Sequence, residues 1–182
     1  MAHIELDDAV PGLPSLLRFR PATAGPLCEL AETLLRGPGP LKRGERELIA
    51  AYVSELNRCR FCASTHGACA AAQLPGGMAL VQQVHADLDA APVGGRLRAL
   101  LAIAAAAARG GREVGEAHVG AARAEGATDV EIHDTVLIAA AFCMYNRYVD
   151  GLATGLPADP AAYARAAERL VAHGYTDLTR PG

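Results

Sequence analysis

Apolar positions recur at helical spacing along most of the chain. Leu48, Tyr52 and Leu56 stand at i, i+4 and i+8, with Ile49 and Val53 beside them, and this predicts an amphipathic helix over 42–56. Asn57-Arg58 predicts a turn. A second helix should follow over about 59–73 and stop before Pro75-Gly76-Gly77. Shorter patterns predict helices over 78–86, over 94–109 until Gly110-Gly111, and over 114–125 with Gly126 as its C-terminal cap. Thr128-Asp129-Val130-Glu131 has the form of a capping box and opens a long helix to about residue 154. A last helix is expected over 160–173.

Upstream, a helical pattern runs over 15–36 with interruptions near Pro21 and Pro26. Gly37-Pro38-Gly39-Pro40 must be a loop, because proline lacks the N–H and clashes with the preceding turn. Residues 1–14 read as an extended arm broken by Pro11, Gly12 and Pro14. Nothing alternates with period two, so an all-α fold is expected. The chain divides into an N-terminal arm and helices (1–40), a core (41–156) and a C-terminal helix and tail (157–182). These should form one structural domain, since 36 residues before the loop are too few for a separate core.

Composition sharpens this picture. The 182 residues are 51% hydrophobic and 20% charged, which excludes a disordered chain. Only 4% are aromatic, Trp is absent, and the apolar content is mostly Ala and Leu, which favour helices over strands. The formal net charge is −3, so no basic excess exists for nucleic acid. The uncharged runs 99–108 and 136–145 fall short of the ~20 residues that span a bilayer, and no membrane association is expected. The N-terminus has neither the basic nor the apolar region of a secretory signal. Five cysteines, an odd number, do not suit a secreted disulfide framework. A cytoplasmic location is expected, where a close cysteine pair points to redox or metal chemistry.

Cys59 and Cys62 form such a pair, a C-x-x-C at a predicted helix start. Residues three apart on a helix lie ~5 Å apart at Cα, within reach of a disulfide. Unpaired N–H groups at the helix N-terminus favour thiolate. His66 follows one turn after Cys62 on the same face and can take a thiol proton. That makes Cys62 the candidate attacking sulfur and Cys59 the resolving one. Glu47 lies ~18 Å from Cys59 on a straight helix, but a fold-back at Asn57-Arg58 would bring it level with residues 66–69. There it would fix the tautomer of His66 and raise its basicity. Against this, Glu47 projects onto a side of small residues (Ala50, Ala51, Ser54) that is buried only if another element packs on it.

Plainer readings exist. Cys59, Cys62, His66 and Cys69 have the look of a zinc knuckle, but Cys59 and Cys69 would sit ~15 Å apart along one helix, too far for one ion. Cys28, Cys69 and Cys143 read as small buried hydrophobes. His85, His118 and His133 lie on polar stretches and read as surface residues. Asn146, Arg147 and Asp150, one turn apart, read as an ion pair or subunit contact, with the thiol pocket as the alternative.

The arrangement Glu-x11-Cys-x-x-Cys-x3-His (Glu47, Cys59, Cys62, His66) resembles the core motif of the alkylhydroperoxidase D-like (AhpD-like) family in the carboxymuconolactone decarboxylase superfamily. The peroxidase-related branch is the most similar, through Arg46-Glu47-Leu48-Ile49-Ala50, Val53-Ser54, Asn57-x-Cys59 and His66-Gly67. A second segment, Asn146-Arg147-x-x-Asp150-Gly151, resembles the same branch. The resemblance implies an AhpD-like all-α helix bundle with a central antiparallel helix pair carrying the C-x-x-C, assembled as a homotrimer or homohexamer. It implies a peroxidase: thiol-dependent reduction of a hydroperoxide, with Cys62 oxidised to sulfenic acid, Cys59 closing the disulfide, and Glu47 and His66 relaying the proton. No metal, flavin or haem is called for, and an external dithiol, a lipoyl protein or a thioredoxin-like donor, would restore the thiols. Where well-studied members carry a second His between the cysteines, this chain has Phe61. The alternatives are a carboxymuconolactone decarboxylase-type lyase, for which the C-x-x-C would be gratuitous, and a non-catalytic helical assembly module.

Overall fold

A computed structural model describes residues 1–7 and 9–179 of the chain. Among these are nine α-helices and no strand: α1 (Leu13–Phe19), α2 (Pro21–Arg36), α3 (Arg43–Leu56), α4 (Arg60–Gln73), α5 (Gly77–Ala86), α6 (Gly95–Arg109), α7 (Glu116–Ala124), α8 (Asp129–Gly151) and α9 (Ala161–His173). Two 3-10 turns lie at Gly111–Glu113 and Thr176–Thr179. The long helix α8 starts as its sequence requires: Thr128 Oγ accepts from the Glu131 N–H at 3.2 Å, and the Glu131 carboxylate accepts from the Thr128 N–H at 2.8 Å.

Three details differ from the periodicity. The N-terminal arm gives way to helix already at Leu13, because Pro14 suits the first helical turn, where its missing N–H has no partner to lose. The break near Pro21 is real and falls at Arg20, which leaves the helical region, but Pro26 sits inside a continuous α2. Its position early in the helix and on the exposed side keeps the lost bond in water. The stretch 114–125 is shorter than its pattern, with a 3-10 turn before α7.

The most extensive packing joins α3 to α4, an antiparallel pair connected at 57–59, where Arg58 takes the left-handed conformation (φ 60°). Around it the main core gathers Leu48, Ile49 and Val53 from α3, Leu100 and Leu101 from α6, and Phe142 from α8, each at most 1% exposed. Burying one such side chain contributes ~1.5–3 kcal/mol. The Ala-rich stretches of α6 and α8 pack together, their small side chains letting the two helices approach.

Charged side chains tie the loops to this frame. Arg46, itself buried, donates to the carbonyls of Leu34, Gly37 and Leu41 and so fixes the Gly-Pro loop. Arg36 donates to the Leu170 and Val171 carbonyls at the end of α9. Arg96 bridges the carboxylates of Glu45 and Glu131.

A second, smaller apolar cluster matters more for function. It joins Leu16, Cys59, Cys62 and Val149, with Ile4, Leu6 and Phe61 packed against it. The N-terminal arm therefore lies over the cysteine pair. It is held by hydrogen bonds from His3 N–H to the Leu152 carbonyl and from Gly12 N–H to the Gly155 carbonyl, both 3.0 Å. Gly12 is required there twice over. Its φ is +69°, and a Cβ would stand 2.1 Å from the Phe61 ring.

Candidate active site

Cys59 is the N-cap residue of α4, and Cys62 is the third residue of that helix. All five cysteines are free thiols. Cys59 is fully buried and Cys62 is 3% exposed. The Cys62 thiol is hydrogen-bonded to Cys59, and that bond, followed by burial, pushes it well above the ordinary thiol range. A hydrogen bond to the Asn146 side chain pulls the other way, and the nearby Asp150 charge adds to the rise. The helix terminus thus does not make a resting thiolate here. For Cys62, the Cys59 hydrogen bond and then desolvation in the second apolar cluster outweigh it.

The turn at 57–59 sets the register of the central pair. It places Glu47 Oε2 2.8 Å from His66 Nδ1, both side chains buried. The small-residue side of α3 is covered by neighbouring helices, with Asn146 of α8 donating to Ser54 Oγ at 3.0 Å, and its Glu47 end is closed by the chain returning after α9. There Gly174, at φ +85°, directs Tyr175 inward, and the Tyr175 N–H donates to the Glu32 carboxylate at 2.7 Å. The Tyr175 hydroxyl donates to Glu47 Oε1 at 2.6 Å and lies 3.3 Å from His66 Nδ1. Burial, then the Glu47 charge, raises the Tyr175 hydroxyl well above its ordinary value, so it stays a donor. Phe142 meets the imidazole edge-on at 4.5 Å between ring centroids. A carboxylate only accepts hydrogen bonds, so Glu47 holds the proton of a neutral His66 on Nδ1 and leaves Nε2 as the basic edge.

Cys62 and His66 line one apolar cavity of about 420 Å³. Its walls come from the N-terminal arm, α1, α2, α4, α8, α9 and the tail after α9. Phe61, in place of a second imidazole, forms part of the wall and packs against Tyr163.

Several residues stand apart from their sequence reading. Asn146 is buried and bonds Cys62, Ser54 Oγ at 3.0 Å and Asn57 Nδ2 at 2.9 Å, so it supports the thiol rather than a subunit contact. Among the described residues, no ion pair joins Arg147 to Asp150. His85 is not a surface residue: it stacks on Tyr52, and burial lowers its basicity. Cys69 lies in the main core, separate from the Cys59–Cys62 cluster, and burial followed by the Glu47 charge raises its thiol. Among the described residues no three His, Cys, Asp or Glu side chains gather as metal ligands. Tyr175 has no signal in the sequence beyond being one of five tyrosines; it reaches His66 across 109 residues.

The model of the carboxymuconolactone decarboxylase family matches residues 21–73 and 75–154. The chain belongs to that family. Within it, the fold is AhpD-like. A solved structure of an uncharacterised peroxidase-related protein from Silicibacter sp. TM1040 is 30% identical, with a TM-score of 0.75 over 85% of this chain and 79% of that one. A peroxidase-related protein from Ralstonia eutropha JMP134, described as an alkylhydroperoxidase AhpD core, is 28% identical, with a TM-score of 0.75 over 87% and 81%. No curated protein matches. No helix among the described residues is long and apolar enough to cross a membrane.

Proposed function

We propose that this member of the family is a thiol-dependent hydroperoxide reductase. The observation that carries the reading is one cavity wall holding both Cys62, hydrogen-bonded to Cys59, and His66, backed by Glu47 and Tyr175. A proton leaves the Cys62 thiol for the basic edge of His66, and the thiolate attacks the O–O bond of ROOH. The bond breaks, the protonated imidazole gives its proton to the departing alkoxide, ROH leaves, and Cys62 becomes a sulfenic acid. The Cys59 thiol then attacks that sulfur, water leaves, and a disulfide forms. An external dithiol, of the lipoyl or thioredoxin-like kind, reduces it by exchange. The sum is ROOH + R′(SH)2 → ROH + H2O + R′S2. Cys62 takes the attacking role because it lines the cavity, whereas Cys59 lies behind it with no exposed surface.

Thiol titration with and without cumene hydroperoxide tests this. Two thiols per chain should vanish in the wild type. Cys62→Ser should consume no peroxide, and Cys59→Ser should yield a trappable sulfenic acid. Loss of neither thiol would sink the reading in favour of a lyase or a non-catalytic assembly module, and a sulfenic acid in Cys62→Ser alone would exchange the two roles.

A further inference from the structure

The cavity that meets Cys62 and His66 combines buried reactive groups with exposed charge. Its inner part is apolar, with Phe61, Phe142 and Leu27 among its walls, and the thiol and imidazole stand there, buried. Its only charged lining residues, among those described, are Arg165 and Arg169, and both are exposed. They stand one turn apart on the same face of α9. No described acidic side chain lines the cavity. Arg165 Nη2 contacts Asp159 at 2.8 Å, and Arg169 Nε contacts Asp177 at 2.7 Å. The Arg165–Asp159 pair is exposed on both sides and holds loosely, Arg169 stays tied to the more buried Asp177, and a guanidinium has five donors, so each arginine retains N–H groups for a second anion.

A volume of about 420 Å³ equals roughly fourteen units of ~30 Å³, the share of one water or about one methylene. An apolar chain of about that many heavy atoms would fill it. We infer that the substrate is an amphiphilic hydroperoxide: an apolar chain of roughly ten to fifteen heavy atoms, with the peroxide at the Cys62 end and a carboxylate at the Arg165–Arg169 end. This rests on the hydroperoxide reductase reading and narrows it from any alkyl hydroperoxide to a fatty-acid type. Burial of the chain supplies affinity, and the two cations fix which end enters first. Small neutral hydroperoxides would enter the cavity without that orientation.

The test uses the purified full chain and two kinds of ligand. The unreactive product analogue ω-hydroxydodecanoic acid and its methyl ester are measured by isothermal titration calorimetry. ω-Hydroperoxydodecanoic acid, its methyl ester and tert-butyl hydroperoxide are measured by turnover with a dithiol. The acid should bind about tenfold more tightly than the ester and show a correspondingly lower KM, a preference that falls as salt rises. In Arg165→Gln/Arg169→Gln the acid-to-ester ratio should collapse toward one, while Arg169→Lys should keep most of it, because the charge remains. Equal binding of acid and ester to the wild type would overturn the inference, as would a double variant that keeps the preference. Turnover of tert-butyl hydroperoxide without acid preference would discard the substrate class and leave the reductase reading intact. Acid-selective binding with no thiol loss to any peroxide would do the opposite.

Discussion

Replacing Glu47 with glutamine changes one atom and should disable the site. The carboxylate accepts from Tyr175 through Oε1 and from His66 Nδ1 through Oε2. The amide has one acceptor and one donor to offer. Tyr175, a donor held protonated by burial, keeps the amide oxygen on its own side, so the NH2 faces His66 Nδ1. The imidazole must then move its proton to Nε2, and its basic edge is lost. The same carboxylate-to-amide change behind a catalytic histidine in the serine-protease triad costs ~10⁴ in kcat. General-base loss spans ~10²–10⁴, and the expected fall in peroxide turnover lies in that range. Stability should change by only ~1 kcal/mol, because the shape and both hydrogen bonds survive.

A second substitution separates this from a structural defect, and the pH dependence reports the acidity of the thiol. The Cys62 thiol is held well above its ordinary range by Cys59 and by burial, so hydroxide does not replace the base at pH 9. The deficit should therefore hold steady from pH 7 to 9. Glu47→Gln/Tyr175→Phe frees the amide to turn over and should recover part of the rate. The assay is single-turnover loss of cumene hydroperoxide from pH 6 to 9 on the three proteins. A wild-type rate for Glu47→Gln at pH 7 would remove Glu47 from the site, and a deficit that vanishes by pH 9 would show a thiol of ordinary acidity.

Three further outcomes are expected. Gly12→Ala puts a Cβ into the Phe61 ring at a left-handed backbone position, costs about 1–3 kcal/mol, and should loosen the arm over the dithiol; an unchanged rate of thiol labelling by a bulky disulfide reagent would contradict the cover. Cys62, Cys69 and Tyr175 are raised in the fold, and Tyr145 is raised to about 12, so the native state keeps protons that the unfolded chain releases above about pH 9 for thiols and about pH 10 for phenols. Stability should be full below that window and then fall by on the order of 1–3 kcal/mol per pH unit, read as urea midpoints from pH 7 to 10.5 under reducing conditions. A midpoint that stays flat to pH 10.5 would mean these groups titrate freely in the fold. Val130, Leu137 and Met144 are exposed at heptad intervals on α8, a seam suited to another copy of the chain. An assembly of three or six chains is expected, with Leu137→Glu dissociating it, and a wild-type light-scattering mass of one 18.8 kDa chain would refute this.

Helix content was legible in the residues themselves, because it is local: apolar spacing, the Thr128–Glu131 box, and the Gly and Pro stops act within a turn or two. The dithiol and its neighbouring imidazole were legible for the same reason, since Cys59, Cys62 and His66 lie within eight residues of one helix. The pairing of Glu47 with His66 needed only one fold-back, so spacing about Asn57-Arg58 pointed to it. What no local pattern carried is what surrounds that helix. Tyr175 arrives from the tail, Asn146 from the C-terminal part of α8, and the arm from residues 3–12, each placed by packing and by hydrogen bonds to residues distant in sequence. The acidity of Cys62 follows the same rule. Sequence position puts it at a helix N-terminus, which favours the thiolate, but tertiary burial and its neighbour Cys59 decide the sign. Composition and periodicity settled the kind of fold, and the C-x-x-C-x3-His spacing named the candidate reactive atoms. The environment that tunes those atoms, and the cavity between Cys62 and the α9 arginines, exist only when segments far apart in sequence close around them.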